Sequence, residues 1–222
     1  AALLEHNRPA IIMSDGTIRP GTDSVTGQRL DIISGFQVAG SDDDEMKKRI
    51  ACEACPGFGS CGGMFTYNTM QAFIGVLGME PLHMVSPPSD DVRRIEQFPD
   101  ELVNYLRALI ESQVTPRDIV TRDSIRNAMI VSMALGGSTN VLLHAPEIAR
   151  SAGYADFPGE IMSPEEFNYL SQHVVPVLVD VRPFGNYSMV DIDEKGGVQV
   201  IVKDLLDAGL LNGETPTCTG ET

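Results

Sequence analysis

The sequence predicts an α/β fold: a mostly parallel sheet covered by helices, running through residues 1–222. Two patterns predict it. Segments with apolar residues at helical spacing alternate with short apolar runs of strand type, and the links between those runs are long and helical, as parallel crossovers require. The length, 222 residues with 42% hydrophobic, suits one sizeable α/β domain.

The elements follow in order. The first residues read as the tail of a helix ending near Asn7, and Pro9-Ala10-Ile11-Ile12-Met13 as a strand-type run broken by Ser14-Asp15-Gly16. A strand that stops at such a turn is a common place for a site in an α/β sheet. Thr22 to Arg29 is polar loop and Leu30 to Ala39 a helix. Asp42-Asp43-Asp44-Glu45 before Met46-Lys47-Lys48-Arg49 is a helix start, acids in the first turn and bases a turn later. Met70, Phe73, Ile74 and Leu77 mark a buried helix that Gly78 ends, with Ser60 as its N-cap and Cys61 in its first turn.

Pro81 to Pro88 is a loop carrying His83, and Leu102, Tyr105, Leu106 and Leu109 mark the next amphipathic helix. Thr115-Pro116-Arg117-Asp118 is a capped entry with Pro at the first helical position, and Ile125, Ala128, Met129 and Ser132 form a buried face. Gly136-Gly137-Ser138-Thr139-Asn140 opens a helix with Val141, Ala145, Ile148 and Ala149 on one face, His144 packed on it, and Gly153 at its end. Such a start offers N–H groups and hydroxyls suited to a carboxylate or phosphate, or simply caps its own helix. Ser163-Pro164-Glu165-Glu166 is a capping box. Val174 to Val179, interrupted by Pro176, reads as an edge strand or a strand start. Gly196-Gly197 leads a helix burying Val198, Ile201, Val202 and Leu205, with Gly209 as C-cap, and Asn212-Gly213 is a turn.

Acidic residues number 31 against 16 basic ones, for a net charge of −15. That balance speaks against nucleic acid as a partner, which needs a basic surface. No apolar run approaches a membrane span, and Ala1 to Leu4, followed at once by Glu5, His6 and Asn7, is too short for a signal peptide. Few, clustered cysteines suggest a reducing compartment and a cytoplasmic location.

The chemistry concentrates between Cys52 and Met64. Three of the chain's four cysteines, Cys52, Cys55 and Cys61, lie there among glycines, ahead of an apolar helix. A thiolate at a helix mouth is favoured by unpaired N–H groups and the helix dipole, and the thiolate is the form that binds metal or attacks an electrophile. The spacing does not match the paired four-ligand pattern of structural zinc. A soft-metal or iron–sulfur ligand, a reactive thiol and small cysteines buried in a glycine turn all remain open on spacing alone.

The run Ala54-Cys55-Pro56-Gly57-Phe58-Gly59-Ser60-Cys61-Gly62-Gly63-Met64-Phe65-Thr66-Tyr67-Asn68-Thr69-Met70 closely resembles a signature of the dihydroxyacid dehydratase/phosphogluconate dehydratase family of iron–sulfur lyases. Gly136-Gly137-Ser138-Thr139-Asn140 followed by Val141-Leu142-Leu143-His144 is similar to a second family segment, and Gly16-Thr17-Ile18-Arg19-Pro20-Gly21 to a turn of dihydroxyacid dehydratases. Asp207-Ala208-Gly209-Leu210-Leu211 and Thr219-Gly220 follow as later landmarks in the right order. Asp15 stands where the family usually has glycine, and Tyr67 where alanine is common.

The resemblance implies a hydro-lyase that removes water from a 2,3-dihydroxy carboxylic acid to give a 2-keto acid, in branched-chain amino acid synthesis. It implies an iron–sulfur cluster as Lewis acid, 2Fe-2S rather than 4Fe-4S, and Mg2+ in the complete enzyme. Cys61 matches the family's third cluster cysteine and is the expected metal and cofactor ligand, while Ser138, Thr139 and Asn140 are the expected substrate-binding residues. Cys55 matches a frequent family residue not counted as a ligand, Cys52 has no clear counterpart, and Cys218 reads as structural. The family's first cluster cysteine, its magnesium-binding Cys-Asp-Lys segment and its serine base fall outside this sequence, so no catalytic residue is expected here. Residues 1–222 then read as an incomplete α/β N-terminal domain without the family's C-terminal β domain, inactive alone, and a homodimer or homotetramer when complete. A sugar-acid dehydratase of the same family, and a non-catalytic truncated domain that binds metal or a partner, are the alternatives.

Overall fold

The computed structural model describes residues 1–154 and 162–222, and these are built mostly of helices. The expected parallel sheet is not found among the described residues. Among the described residues the strands are Gly21–Thr22 (β1) and Arg29–Leu30 (β2), paired antiparallel into a two-stranded ribbon. The polar loop expected from Thr22 to Arg29 is therefore the turn of a hairpin.

The apolar runs explain the difference. Pro9–Met13 forms no strand: its Ile12 N–H is tethered singly to the Met79 carbonyl at 2.8 Å rather than laddered to a neighbour. Val174–Val179 begins at the end of a π turn, Leu170–Val174, and is pinned by Leu178 N–H to the Ala134 carbonyl at 2.8 Å. Pro176 has no N–H to give a ladder. A short apolar run buries its side chains as well against helices as in a sheet, so periodicity alone does not separate the two.

The helices begin with α1 (Ala2–His6), closed by Asn7 in a left-handed conformation, and α2 (Ile32–Val38), capped by Asp31. In α3 (Asp44–Glu53) the Asp43 carboxylate accepts the Met46 N–H, as the acidic start predicts. Next come α4 (Thr66–Val76), α5 (Val92–Glu96), α6 (Phe98–Ser112) and α7 (Pro116–Ile119), the last opened by the Thr115/Asp118 capping box. They are followed by α8 (Arg122–Ala134), α9 (Val141–Ala152) with Gly153 as C-cap, and α10 (Pro164–Tyr169), capped by Ser163. The chain closes with α11 (Met189–Glu194), which the sequence reading missed, and α12 (Val198–Asp207).

The centre of the molecule is α4 packed on α8. Ala72, Phe73 and Leu77 from α4 share a buried cluster with Ile125, Ala128, Met129 and Val131 from α8, and with Val198, Ile201 and Leu205 from α12. Burying Phe73 completely stabilises the fold by about 2–3 kcal/mol. With α4 fixed in the core, whatever its first turn holds is fixed too.

Candidate functional site

The cysteine loop lies between α3 and α4. The helix starts at Thr66, with Phe65 in the N-cap position, so Ser60 is not the cap and Cys61 is not in the first turn. Ser60 instead donates its hydroxyl to the Asp15 carboxylate at 3.2 Å. Its backbone joins the Gly16–Ile18 segment, with Ile18 N–H to the Ser60 carbonyl at 2.7 Å and Ser60 N–H to the Gly16 carbonyl at 3.0 Å. The helix dipole therefore does not act on Cys61 as the sequence suggested, because it decays within the first turn.

Cys61 is half-buried, and burial pushes its thiol up from the usual cysteine range. The N–H groups of Gly63 and Gly62 oppose this by donating to the sulfur, while Asp31 adds to the rise. Asp31 is itself paired with Arg182 at 2.7 Å. Cys55 is also shifted upward, by burial first and by the neighbouring Cys61 and Asp31 charges after it. Cys52 is exposed and Cys218 is buried far away against Gly78, whose carbonyl takes the Cys218 N–H at 2.7 Å.

The backbone around Cys61 is tied at every peptide. The Cys61 carbonyl accepts from Thr17 Oγ1 at 3.1 Å and from Asn68 Nδ2, and the Gly63 carbonyl accepts from the same Asn68 amide at 2.6 Å. Met189 N–H reaches the Gly62 carbonyl at 2.8 Å, and Met64 N–H the Arg182 carbonyl at 2.6 Å. Gly59 and Gly63 are needed at their positions. A Cβ on Gly59, at φ +124°, would stand 2.1 Å from Ser89 Oγ, and one on Gly63 would stand 2.9 Å from the Arg182 carbonyl.

Ser138, Thr139 and Asn140 precede α9. Ser138 is half-buried, and Thr139 and Asn140 are exposed. Their amides are less free than expected. Ser138 N–H donates to Thr69 Oγ1 at 2.9 Å, and Asn140 N–H to Ser138 Oγ at 3.3 Å. Asn140 Nδ2 donates to Thr66 Oγ1. His144, expected to pack on the helix, is exposed. The first turn of α4 therefore holds both motifs, Cys61 through Asn68 and the Ser138–Asn140 segment through Thr66 and Thr69.

A buried polar group stands behind the Ser14–Gly16 turn. Glu80 and Arg94 are almost wholly enclosed, and Tyr67 Oη accepts the Gly16 N–H at 2.8 Å. Burial and the neighbouring Asp15 carboxylate hold the Tyr67 phenol protonated, well above its usual range. Sequence reasoning missed Thr17, Asn68, Glu80, Arg94 and Arg182.

An iron–sulfur cluster needs more ligands than this site provides. Among the described residues no three His, Cys, Asp or Glu side chains converge to hold a metal ion. The Cys61 sulfur nevertheless suits the role of one cluster ligand: it is a free, half-buried thiol in a loop that also carries Gly59, Gly62 and Gly63.

The model of the dihydroxy-acid/6-phosphogluconate dehydratase N-terminal family matches residues 1–222. The chain is 40% identical over 222 residues to a chloroplastic dihydroxy-acid dehydratase of Arabidopsis thaliana, covering 97% of this chain and 35% of that protein. It is 41% identical to a dihydroxy-acid dehydratase of Leifsonia xyli, covering 96% of this chain and 38% of the relative. It is 36% identical to the mitochondrial dihydroxy-acid dehydratase of Saccharomyces cerevisiae, covering 100% of this chain and 38% of the relative. The chain thus spans little more than a third of the length of these relatives.

Proposed function

The chain belongs to the dihydroxy-acid/6-phosphogluconate dehydratase family, and from that premise we propose that it is one part of a hydro-lyase that converts a 2,3-dihydroxy carboxylic acid to a 2-keto acid. The observation that carries the proposal is the first turn of α4, which fixes Cys61 and the Ser138–Asn140 segment on one rigid support. Cys61 is one thiolate ligand of an iron–sulfur cluster, and the other ligands come from the remainder of a longer polypeptide. When bound, the cluster supplies a Lewis acid for the departing hydroxyl. The chain's own residues orient: Ser138, Thr139 and Asn140 present hydroxyl and amide groups to the substrate, and the Cys61 backbone is held by Thr17 and Asn68.

Residues 1–222 alone are inactive on this reading, since they supply a single cluster ligand and no base. The complete polypeptide should bind iron and sulfide, and Cys61→Ser should lose both together with turnover. Turnover by the 222-residue piece, or unchanged iron in Cys61→Ser, would refute the proposal.

One observation favours a sugar acid over a branched-chain precursor as substrate. Asp15, exposed and held by Ser60, stands beside the Tyr67 hydroxyl at the edge of the cysteine loop. Such a polar rim suits a polyhydroxylated chain better than an alkyl one. Comparing kcat/KM of the complete enzyme on an aldonate and on a branched dihydroxy acid separates the two.

A further inference from the structure

We propose that Asn68 is a positioning residue for the Cys61 sulfur, an inference that rests on Cys61 being a cluster ligand. The Asn68 side chain is 1% exposed and spends both amide hydrogens on one short stretch of backbone, the carbonyls of Cys61 and Gly63. The Cys61 carbonyl shares its peptide unit with the Gly62 N–H, and the Gly63 carbonyl shares its own with the Met64 N–H, which reaches the Arg182 carbonyl at 2.6 Å. A peptide plane is rigid, so fixing its carbonyl oxygen fixes the direction of its N–H. Asn68 therefore fixes the planes of the Cys61–Gly62 and Gly63–Met64 peptides, and with them the direction in which the Cys61 side chain leaves the loop.

Its remaining polar atom, Oδ1, is buried without a partner among the described residues. An orphaned buried acceptor costs about 1–3 kcal/mol. A residue chosen for stability alone would not carry that cost, whereas no other side chain of this length offers two donors with this geometry. Aspartate is nearly the same shape but would set a carboxylate against two carbonyl oxygens. Outer-shell groups of this kind alter metal affinity by roughly 10–100-fold, and hydrogen bonds to a cluster's sulfurs help set its potential.

The test compares the complete polypeptide with its Asn68→Asp, Asn68→Ala and Asn68→Ser variants, each reconstituted anaerobically with iron and sulfide. Iron retention under chelator, the visible circular dichroism and the reduction potential are read alongside thermal unfolding of the apo-protein. Weaker iron retention by roughly 10–100-fold, with a changed spectrum and a lower potential, is expected for Asp and Ala. Serine, with one donor, should fall between them and the parent. Variants that lose stability yet keep the parent's spectrum and potential would overturn the proposal, and Asn68→Ser decides it where the others do not fold. If the parent itself takes up no iron, the dehydratase reading fails instead. Asn68 is then judged by the rate of Cys61 alkylation at fixed pH, which rises several-fold in Asn68→Ala if the loop is freed and stays constant if the proposal is wrong.

Discussion

Glu80 accepts two hydrogen bonds from a single residue, the Ser14 N–H at 3.0 Å and the Ser14 hydroxyl at 2.6 Å. With 1% of its surface exposed, it anchors the turn that carries Asp15 and Gly16 beside the cysteine loop. Burial pushes the Glu80 carboxyl above its ordinary 4.5, and the opposing pull of the Ser14 bonds and Arg94 does not cancel it. Below 4.5 the carboxyl is protonated in both folded and unfolded chains. Above it the unfolded chain releases its proton first, so this contribution to stability falls as pH rises through the folded value. Urea unfolding at a series of pH values should show stability declining above about pH 4.5 more steeply in the parent than in Glu80→Gln. Equal slopes would show that Glu80 titrates as an ordinary glutamate.

Arg94 completes this support. It is 5% exposed and donates to three carbonyls, those of Pro87 at 2.8 Å, Ser14 at 2.6 Å and Met84 at 2.9 Å. Burial lowers its affinity for the proton and the nearby Glu80 charge restores part of it. Arg94→Met should cost on the order of 3–5 kcal/mol, because it strands Glu80 and three carbonyls. In a Glu80→Gln background the cost should be smaller by more than the error of the measurement, since the stranded charge is already gone. Additive losses in chemical denaturation would mean that the two groups do not interact.

Much of this was legible in the sequence, and what was not has identifiable causes. Helix ends announced by local chemistry were readable: Asp43 before α3, Thr115/Asp118 at α7, Ser163 at α10 and Gly153 after α9. The buried face Ile125, Ala128, Met129 and Ser132 was readable because its period is helical. The sheet was misread because Pro9–Met13 and Val174–Val179 have strand composition, while pairing depends on neighbours that a single segment does not reveal. Ser60 was misread as a cap because it precedes the apolar pattern, although its hydroxyl is committed to Asp15. Asn68 and Glu80 acquire their meaning from residues 5 and 66 positions away, a separation no local pattern records.

The four cysteines should separate by reactivity. Cys52 is exposed, Cys55 and Cys61 are half-buried with thiols raised by burial, and Cys218 is buried with its thiol pushed up to about 12. Only the thiolate is alkylated. Iodoacetamide at about pH 8, followed by peptide mass mapping, should label Cys52 first, Cys55 and Cys61 more slowly, and Cys218 only on unfolding. Early labelling of Cys218 would contradict its place against Gly78.

Thr69 offers a way to separate the two motifs that α4 holds. It is fully buried, its hydroxyl donating to the Phe65 carbonyl at 2.8 Å while accepting the Ser138 N–H at 2.9 Å. Thr69→Val keeps the shape and removes both bonds, leaving the Ser138 N–H without its partner at a cost of about 1–3 kcal/mol. The loss falls on the Ser138–Asn140 side alone, because Asn68 and Thr17 hold Cys61 independently. In the complete enzyme Thr69→Val should therefore raise KM while iron content and cluster spectrum stay at the parent's values. Asn68→Ala should do the reverse, altering the spectrum first. If Thr69→Val instead sheds iron, the first turn of α4 transmits strain between the two motifs, and the support is one cooperative unit rather than two separate anchors.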